Sequence, residues 1–166
     1  MLDQSHYLHS SLREKILEHL FIGEVLKSLW KKNIRDIEVL KAEVDSGGYD
    51  VVISCGGTIR YIQLKASYKG ATTSEQKVQI SLGTKPSGCV IWMLFDPDTL
   101  DLGPLYWFGG APGLTFPDIS SKKIAKHTKC NAEGLKLERP NLRVLKKADF
   151  TKVTTIEDIV FRLFGI

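Results

Sequence analysis

The hydrophobic pattern of the chain opens with a helical stripe. From Ser10 to Lys32 apolar residues recur at intervals of three and four positions, which is the period of an amphipathic helix. Asp36 to Val44 alternates loosely and is rich in aliphatic residues, so this segment is expected to be a strand. Near the end of the chain, Thr155 to Phe164 has a helical pattern again, with Thr154 or Thr155 as its N-cap.

Two strongly β-prone runs in the middle of the chain predict a hairpin. Tyr49 to Cys55 and Thr58 to Ser67 are joined by Gly56-Gly57. A two-residue type I′ turn needs positive φ at both central positions, which glycine adopts readily. With the glycines in the turn, both faces of the hairpin are largely apolar. We therefore expect the hairpin to be central in its sheet and covered on each side.

This hairpin brings three polar side chains to one face. The predicted register places Asp50 directly opposite Gln63, and Lys65 lies two residues further along the same strand. Opposed residues of an antiparallel pair have Cβ atoms about 4.5–5.5 Å apart. A central hairpin buries such groups at high cost unless they pair with each other or bind something. An Asp–Lys ion pair bridged by the glutamine and a metal site are both consistent with this pattern.

The remaining pattern completes an α/β fold. Lys77 to Leu82 is either a strand or the start of a helix, and Cys89 to Phe95 is an apolar strand. Leu105 to Phe108 is expected to be its hairpin partner, and Leu142 to Leu145 a short strand. We predict one domain over residues 1–166, with an N-terminal helix followed by a central mixed or antiparallel sheet flanked by helices. Its core would span about residues 10–110, with a basic C-terminal extension over about 115–166.

Basic residues are in excess in the last third of the chain. The first 100 residues carry 12 basic and 12 acidic residues, whereas residues 119–152 carry ten basic and three acidic ones, a net charge of +7. A basic segment beside a neutral one suits a polyanionic partner such as DNA, because contacts to phosphates release condensed counterions. A solvated surface is the alternative explanation. The candidates for phosphate contacts are Lys122, Lys123, Lys126, His127, Lys129, Arg139 and Arg143.

Composition excludes several other classes of protein. The chain is 43% hydrophobic and 25% charged, which is typical of a globular domain. Its longest apolar run, Cys89 to Phe95, is much shorter than the roughly 20 residues of a membrane span. Three widely spaced cysteines form no CxxC pair. We therefore expect free thiols, a cytoplasmic location and no membrane or zinc site.

The order and spacing of these residues resemble the PD-(D/E)XK nuclease superfamily. Asp50, followed after twelve residues by Gln63-Leu64-Lys65 at the end of an apolar strand, is similar to the D…(D/E/Q)xK signature. The entry segment from Asp45 to Ile53 resembles the acidic strand of these folds. Glu24 on the first helix matches the acidic residue that a helix supplies in many members. The resemblance covers roughly residues 14–95 and implies a restriction endonuclease-like core.

The resemblance implies a divalent metal site and a role for each of its residues. Mg²⁺ or Mn²⁺ would be held by Asp50, Gln63 and the backbone carbonyl of Leu64, since all three donors are oxygens. Lys65 would orient the attacking water or stabilise developing negative charge. Glu24, with Asp45 or Glu43, would act through water in an outer shell. The implied reaction is hydrolysis of DNA phosphodiester bonds.

Gln63 is the main departure from the commonest form of the signature, which has Glu or Asp there. Gln occurs at this position in the Mrr-type enzymes of the superfamily. Because its oxygen is neutral, weaker metal affinity is expected. A nucleic-acid-binding module that retains the fold and a structural domain with a buried Asp50–Lys65 pair are the competing interpretations. A sequence-specific enzyme of this length would also need a homodimer or another partner.

Overall fold

The computed structural model describes residues 8–44 and 46–166, and these ranges contain two helices and nine strands. The helices are α1 (Ser10–Lys31) and α2 (Ile156–Phe164). The strands are β1 (Ile37–Lys41), β2 (Val51–Cys55), β3 (Thr58–Tyr68), β4 (Glu75–Gln79), β5 (Gly88–Phe95), β6 (Leu102–Gly109), β7 (Ile124–Lys126), β8 (Glu138–Lys146) and β9 (Thr151–Val153). Short 3₁₀ helices cover Ile80–Thr84 and Lys147–Asp149.

Six of the strands form the main sheet, in the order β1-β2-β3-β5-β6-β9. All neighbours are antiparallel except β3 and β5, which run parallel over eight residue pairs from Tyr61 with Gly88 to Tyr68 with Phe95. The predicted α/β class is confirmed: an N-terminal helix precedes a central, mostly antiparallel sheet.

The two faces of the main sheet are covered by different layers. Both helices pack on one face, where Leu17, Phe21 and Ile159 join a core that also contains Ile53, Ile62 and Ile91. On the other face a second sheet, in the order β4-β8-β7, supplies Val78 and Leu145 to a core around Trp92. The central hairpin is thus covered on each side, by helices on one face and by the second sheet on the other.

The C-terminal residues belong to the main core. β9 pairs with β6 at the edge of the main sheet, and α2 packs beside α1. Thr155 caps α2 by accepting a hydrogen bond from the Asp158 backbone N–H at 3.2 Å. Segment 151–166, which the sequence places in a basic extension, thus completes the layer that covers the hairpin.

Arg60 joins the hairpin to the end of α2. Its side chain is fully buried, and it donates to the backbone carbonyl oxygens of Leu163 and Arg162 at 2.7 Å each. It also donates to the carbonyl oxygens of Gly110 at 3.0 Å and Ser87 at 3.4 Å. Burial lowers the pKa of the guanidinium. The carbonyl groups at a helix C-terminus carry partial negative charge, so this cation both caps α2 and fixes it on the sheet.

The cysteines are free, as expected. Cys55 and Cys89 are buried, and Cys130 is exposed. Burial raises the pKa of Cys89 to about 12, which leaves it an inert thiol. In residues 8–44 and 46–166, no helix is both long and apolar enough to cross a bilayer.

Candidate functional site

The hairpin has the register that the sequence predicts. Gly56 and Gly57 form its turn with φ values of 55° and 82°, and Cys55 pairs with Thr58 and Val51 with Ile62. The backbone N–H of Asp50 donates to the carbonyl of Ile62 at 2.9 Å, one step beyond the last residue pair. Asp50 therefore sits at the end of the hairpin, across from Gln63.

β3 is longer than β2, and this difference creates the site. β2 spans five residues and β3 spans eleven, so the part of β3 after Ile62 has β5 on one edge and extends past the end of β2 on the other. Leu64 lies on that second edge, because its backbone N–H donates to Asp50 Oδ2 at 2.6 Å. In a strand the N–H and C=O of one residue point to the same edge. The carbonyl oxygen of Leu64 is thus directed to the side where the Asp50 carboxylate lies.

A cleft of about 410 Å³ opens at this edge of β3. Asp50, Leu64 and Lys65 line it from the hairpin, and the first two turns of α1 line it from the other side. The residues that α1 contributes are Arg13, Glu14, Lys15, Leu17 and Glu18. The lining mixes carboxylates and cations, which suits a charged ligand better than an apolar one.

Glu18 is the buried carboxylate of this cleft. Its side chain forms ion pairs with Lys41 at 2.6 Å and Lys15 at 3.1 Å. Burial opposes its ionisation, but the hydrogen bonds from the two lysines outweigh burial and lower the pKa of Glu18. A carboxylate held between two lysines thus faces the same cleft as Asp50. The sequence contains a signal for it, because Glu18 is an acid within the apolar stripe, adjacent to Leu17 and four residues before Ile22.

Gln63 faces the second sheet. Its Oε1 accepts a hydrogen bond from the backbone N–H of Gln79 at 3.4 Å, and its side chain is 5% exposed. It lines a second cleft, of about 430 Å³, between β3, β4 and β8. Lys65 and Gln76 line both clefts, so the two are neighbours that meet at these residues.

The oxygen donors at the end of the hairpin fit a hard cation such as Mg²⁺ or Mn²⁺. The Asp50 carboxylate and the Leu64 carbonyl are the kind of donors these ions prefer, and they lie on one edge of β3. Gln63 fits less well, because its oxygen already accepts the Gln79 N–H. Among the described residues, no group of three or more His, Cys, Asp or Glu side chains is arranged to hold a metal ion. Such a site would therefore depend on backbone carbonyls and water as well as Asp50.

The structure does not bring Glu24 to this cleft. Glu24 lies six residues after Glu18, about 9 Å further along α1, and its side chain is 47% exposed and pairs with Lys27 at 3.5 Å. It lines a different hollow, beside Leu100 and Ile156. Glu43 is exposed in the turn after β1. Asp45, the other acidic candidate, lies outside the described residues.

Of the predicted phosphate-binding residues, Arg139 reaches the site. It lines the second cleft together with Lys65 and Lys77. Lys123 and Lys126 are exposed around β7, and His127 and Lys129 line a separate small hollow in the segment that leads to β8.

Two members of the basic segment hold the fold together. Lys122 forms an ion pair with Asp149 at 2.7 Å, and that pairing lowers the pKa of the carboxylate. Arg143 donates to the backbone carbonyls of Ser120 at 3.2 Å and Pro140 at 2.6 Å. Their hydrogen-bonding groups are thus largely committed to neighbours within the chain.

Comparisons with known proteins do not assign this chain to a family. No protein-family model matches the chain, and no curated protein matches it. Among solved structures it is similar to a bacterial homing endonuclease, I-Ssp6803I, with 20% sequence identity and a TM-score of 0.37. That alignment covers 68% of this chain and 80% of the other.

Proposed function

We propose that this protein is a metal-dependent nuclease that hydrolyses DNA phosphodiester bonds at the end of the β2–β3 hairpin. The observation that carries the proposal is the arrangement around Leu64. Its N–H binds the Asp50 carboxylate at 2.6 Å, its carbonyl is directed to the same edge, and Lys65 lines the same cleft. This arrangement agrees with the role that the PD-(D/E)XK resemblance implies for each of these residues.

Each residue of the cleft would have its own role in the proposed hydrolysis. Asp50 and the Leu64 carbonyl would hold Mg²⁺ or Mn²⁺, with Gln63 as a weak third donor. When bound, such an ion polarises the phosphoryl oxygen and lowers the pKa of a coordinated water. The Lys65 ammonium would stabilise the charge that develops on the phosphate, because a fixed cation in a partly enclosed cleft acts strongly. Glu18 would hold Lys15 in place beside the cleft through their ion pair.

Cations on both sides of Lys65 support a nucleic acid as the substrate. Arg13 and Lys15 line the first cleft, and Lys77 and Arg139 line the second. Because the clefts meet at Lys65, these side chains border one continuous path past the hairpin end. Phosphate contacts along such a path position the backbone without reading its sequence.

A nucleic-acid-binding module without efficient cleavage is the second candidate function. The observation that favours it is the neutral Gln63, whose oxygen is already engaged by the Gln79 N–H. Both candidates need the cationic path, and only the nuclease needs the metal.

Incubation of the purified protein with supercoiled plasmid in Mg²⁺, Mn²⁺ or EDTA separates the two candidates. The nuclease predicts nicking in either metal and none in EDTA, with DNA binding retained in EDTA. Binding without nicking under any metal condition would establish the second candidate. If the protein neither nicks nor binds DNA, both candidate functions are wrong.

Arg139→Gln is expected to weaken DNA binding and to reduce the slope of log affinity against log salt by about one, because one phosphate contact is lost. Thermal stability should stay unchanged, since Arg139 is exposed. The matched control is Lys152→Gln. Lys152 belongs to the same basic segment, but it lies on β9, three strands away from β3 in the main sheet. Equal losses of affinity in the two variants would contradict a role for the second cleft and indicate a diffuse electrostatic effect.

A further inference from the structure

The segment between β7 and β8 is a hairpin with a well-defined tip, and we call residues 123–139 the β7–β8 finger. Asn131 closes the tip, because its Oδ1 atom accepts the backbone N–H groups of Glu133 at 3.1 Å and Leu135 at 2.8 Å. The backbone N–H of Asn131 donates to the carbonyl of Leu135 at 2.8 Å, and the Gly134 N–H donates to the carbonyl of Asn131 at 3.0 Å. An asparagine that bonds the backbone in this way holds a turn in one conformation.

The base of the finger is fixed on the second sheet. Ala125 is fully buried in a small core of that sheet. Lys77 on β4 donates from its side chain to the carbonyl of Lys126 at 2.9 Å. The two arms of the finger are joined above this point, where the His127 N–H donates to the carbonyl of Leu137 at 2.9 Å. The tip is therefore held at a set position relative to the second sheet.

Two leucines of the finger face solvent. Leu135 at the tip is 61% exposed, and Leu137 is 56% exposed. A single exposed leucine is ordinary on a protein surface. Here the backbone bonds of Asn131 hold Leu135 outward on a projecting turn, and the residues around the two leucines are mostly cationic.

The charge of the finger is positive. Residues 123–139 contain five basic and two acidic residues, a net charge of +3. Of the acidic residues, Glu133 accepts the Asn131 side-chain amide at 3.4 Å, and Glu138 lies opposite Lys126 in the ladder. The basic residues are all exposed, and they are Lys123, Lys126, Lys129, Lys136 and Arg139.

An apolar tip on a basic finger matches the chemistry of duplex DNA. The cations suit the phosphates of the backbone, and the leucine suits the apolar interior of the base stack. Leucine is among the side chains that proteins insert as wedges between base steps. A protein partner would have to tolerate the five cations, so DNA fits the whole finger better.

The finger also lies within reach of DNA bound at the site. Arg139 lines the second cleft together with Lys65. Leu135 precedes Arg139 by four residues, so their Cα atoms are at most about 14 Å apart. That distance corresponds to about four steps of 3.4 Å along one DNA strand. A duplex whose backbone occupies the second cleft can therefore contact the tip.

We propose that the β7–β8 finger is a wedge that inserts Leu135 between two base pairs of duplex DNA, a few steps from the phosphate held at the clefts. Lys129 and Lys136 would bind the backbone on either side of the opened step. Leu137 would cover the base pair that Leu135 uncovers. Opening a step costs free energy, and the cost is smaller where pairing or stacking is already weak. The preferred substrate is thus a duplex with a mispaired or easily deformed step.

This inference rests on the proposed function in that DNA is the ligand, but it needs no cleavage. It therefore applies to the nuclease and to the binding module alike. Loss of the preference for a mispaired duplex with nicking intact would refute the wedge alone. The preference without nicking in any metal would refute the nuclease alone.

Fluorescence anisotropy in EDTA tests the wedge with two labelled duplexes of about 20 base pairs, one fully paired and one with a single central mismatch. The wild type is expected to bind the mismatched duplex about tenfold more tightly. Leu135→Ser should bind the two within about twofold of each other, whereas Leu135→Met should keep the preference because methionine also serves as a wedge. The matched control is Leu114→Ser. Leu114 is 60% exposed in the loop after β6, and its replacement should keep the tenfold ratio.

The salt dependence of binding separates the wedge from the phosphate contacts. Leu135→Ser should leave the slope of log affinity against log salt unchanged, because it removes no charge. Lys136→Gln should reduce that slope by about one and keep the preference for the mismatch. Equal affinity of the wild type for the two duplexes, or a tenfold preference that persists in Leu135→Ser, would overturn the proposal.

Discussion

Lys65→Met is expected to lower the rate of metal-dependent plasmid nicking by about 10³-fold. Methionine keeps most of the volume of the lysine side chain but removes the ammonium at the point where the two clefts meet. The developing charge on the phosphate would then lose its fixed cation. Binding should fall by much less, because Arg13, Lys77 and Arg139 still line the path.

Single-turnover nicking in Mn²⁺, measured together with DNA affinity in EDTA, checks this expectation. The matched control is Lys69→Met. Lys69 is exposed in the turn directly after β3, and its replacement should leave the rate within about threefold of the wild type. Equal rates for Lys65→Met and the wild type would remove Lys65 from the mechanism.

Arg60→Lys is expected to lower the free energy of unfolding by about 3–5 kcal/mol, although it conserves charge. Four backbone carbonyls surround the buried guanidinium, two of them at the end of α2. An ammonium lacks the planar fork and cannot reach all of these oxygens. Leaving buried carbonyls without a donor and a cation poorly paired costs about 3–5 kcal/mol. That is a large share of the 5–15 kcal/mol that is typical for a whole domain.

Thermal unfolding followed by circular dichroism measures this loss. The control is Arg35→Lys, because Arg35 also donates to backbone carbonyls, those of Trp30 and Ile34, but is exposed. Its replacement should change stability by less than about 1 kcal/mol. A Tm for Arg60→Lys equal to that of the wild type would show that α2 does not depend on this contact.

The hairpin could be predicted from the sequence because its information is local. A Gly-Gly turn between two β-prone runs determines the register, and the register alone brings Asp50 opposite Gln63. The long amphipathic helix could be predicted equally well, since its apolar period extends over many turns. Errors in these elements are confined to a residue or two at the ends.

The acidic residue of α1 could not be assigned from spacing alone. Glu18 and Glu24 both border the apolar stripe, and their distance from the hairpin depends on how far α1 extends past the end of β2. That position is set by tertiary packing. The burial of Glu18 beside Lys41 follows from the same packing.

The short strands and Arg60 could not be predicted from the sequence. β7 and β9 are three residues long, which is too short for a period to be recognised, and each exists because a longer strand lies beside it. Arg60 alternates with apolar residues on a buried face, where a charge looks like an exception. Its partners are backbone carbonyls up to 103 residues away, and they carry no side-chain signature in the sequence.

A manganese titration of nicking by the wild type and Asp50→Asn tests the central claim most directly. Asparagine keeps an oxygen that can accept the Leu64 N–H, so the fold is preserved while the charge that would hold the metal is removed. We expect saturable nicking of supercoiled plasmid by the wild type, abolished by EDTA, and none by Asp50→Asn at any Mn²⁺ concentration. Nicking by Asp50→Asn at the wild-type rate, or wild-type nicking that persists in EDTA, would contradict a metal-dependent nuclease site at Asp50.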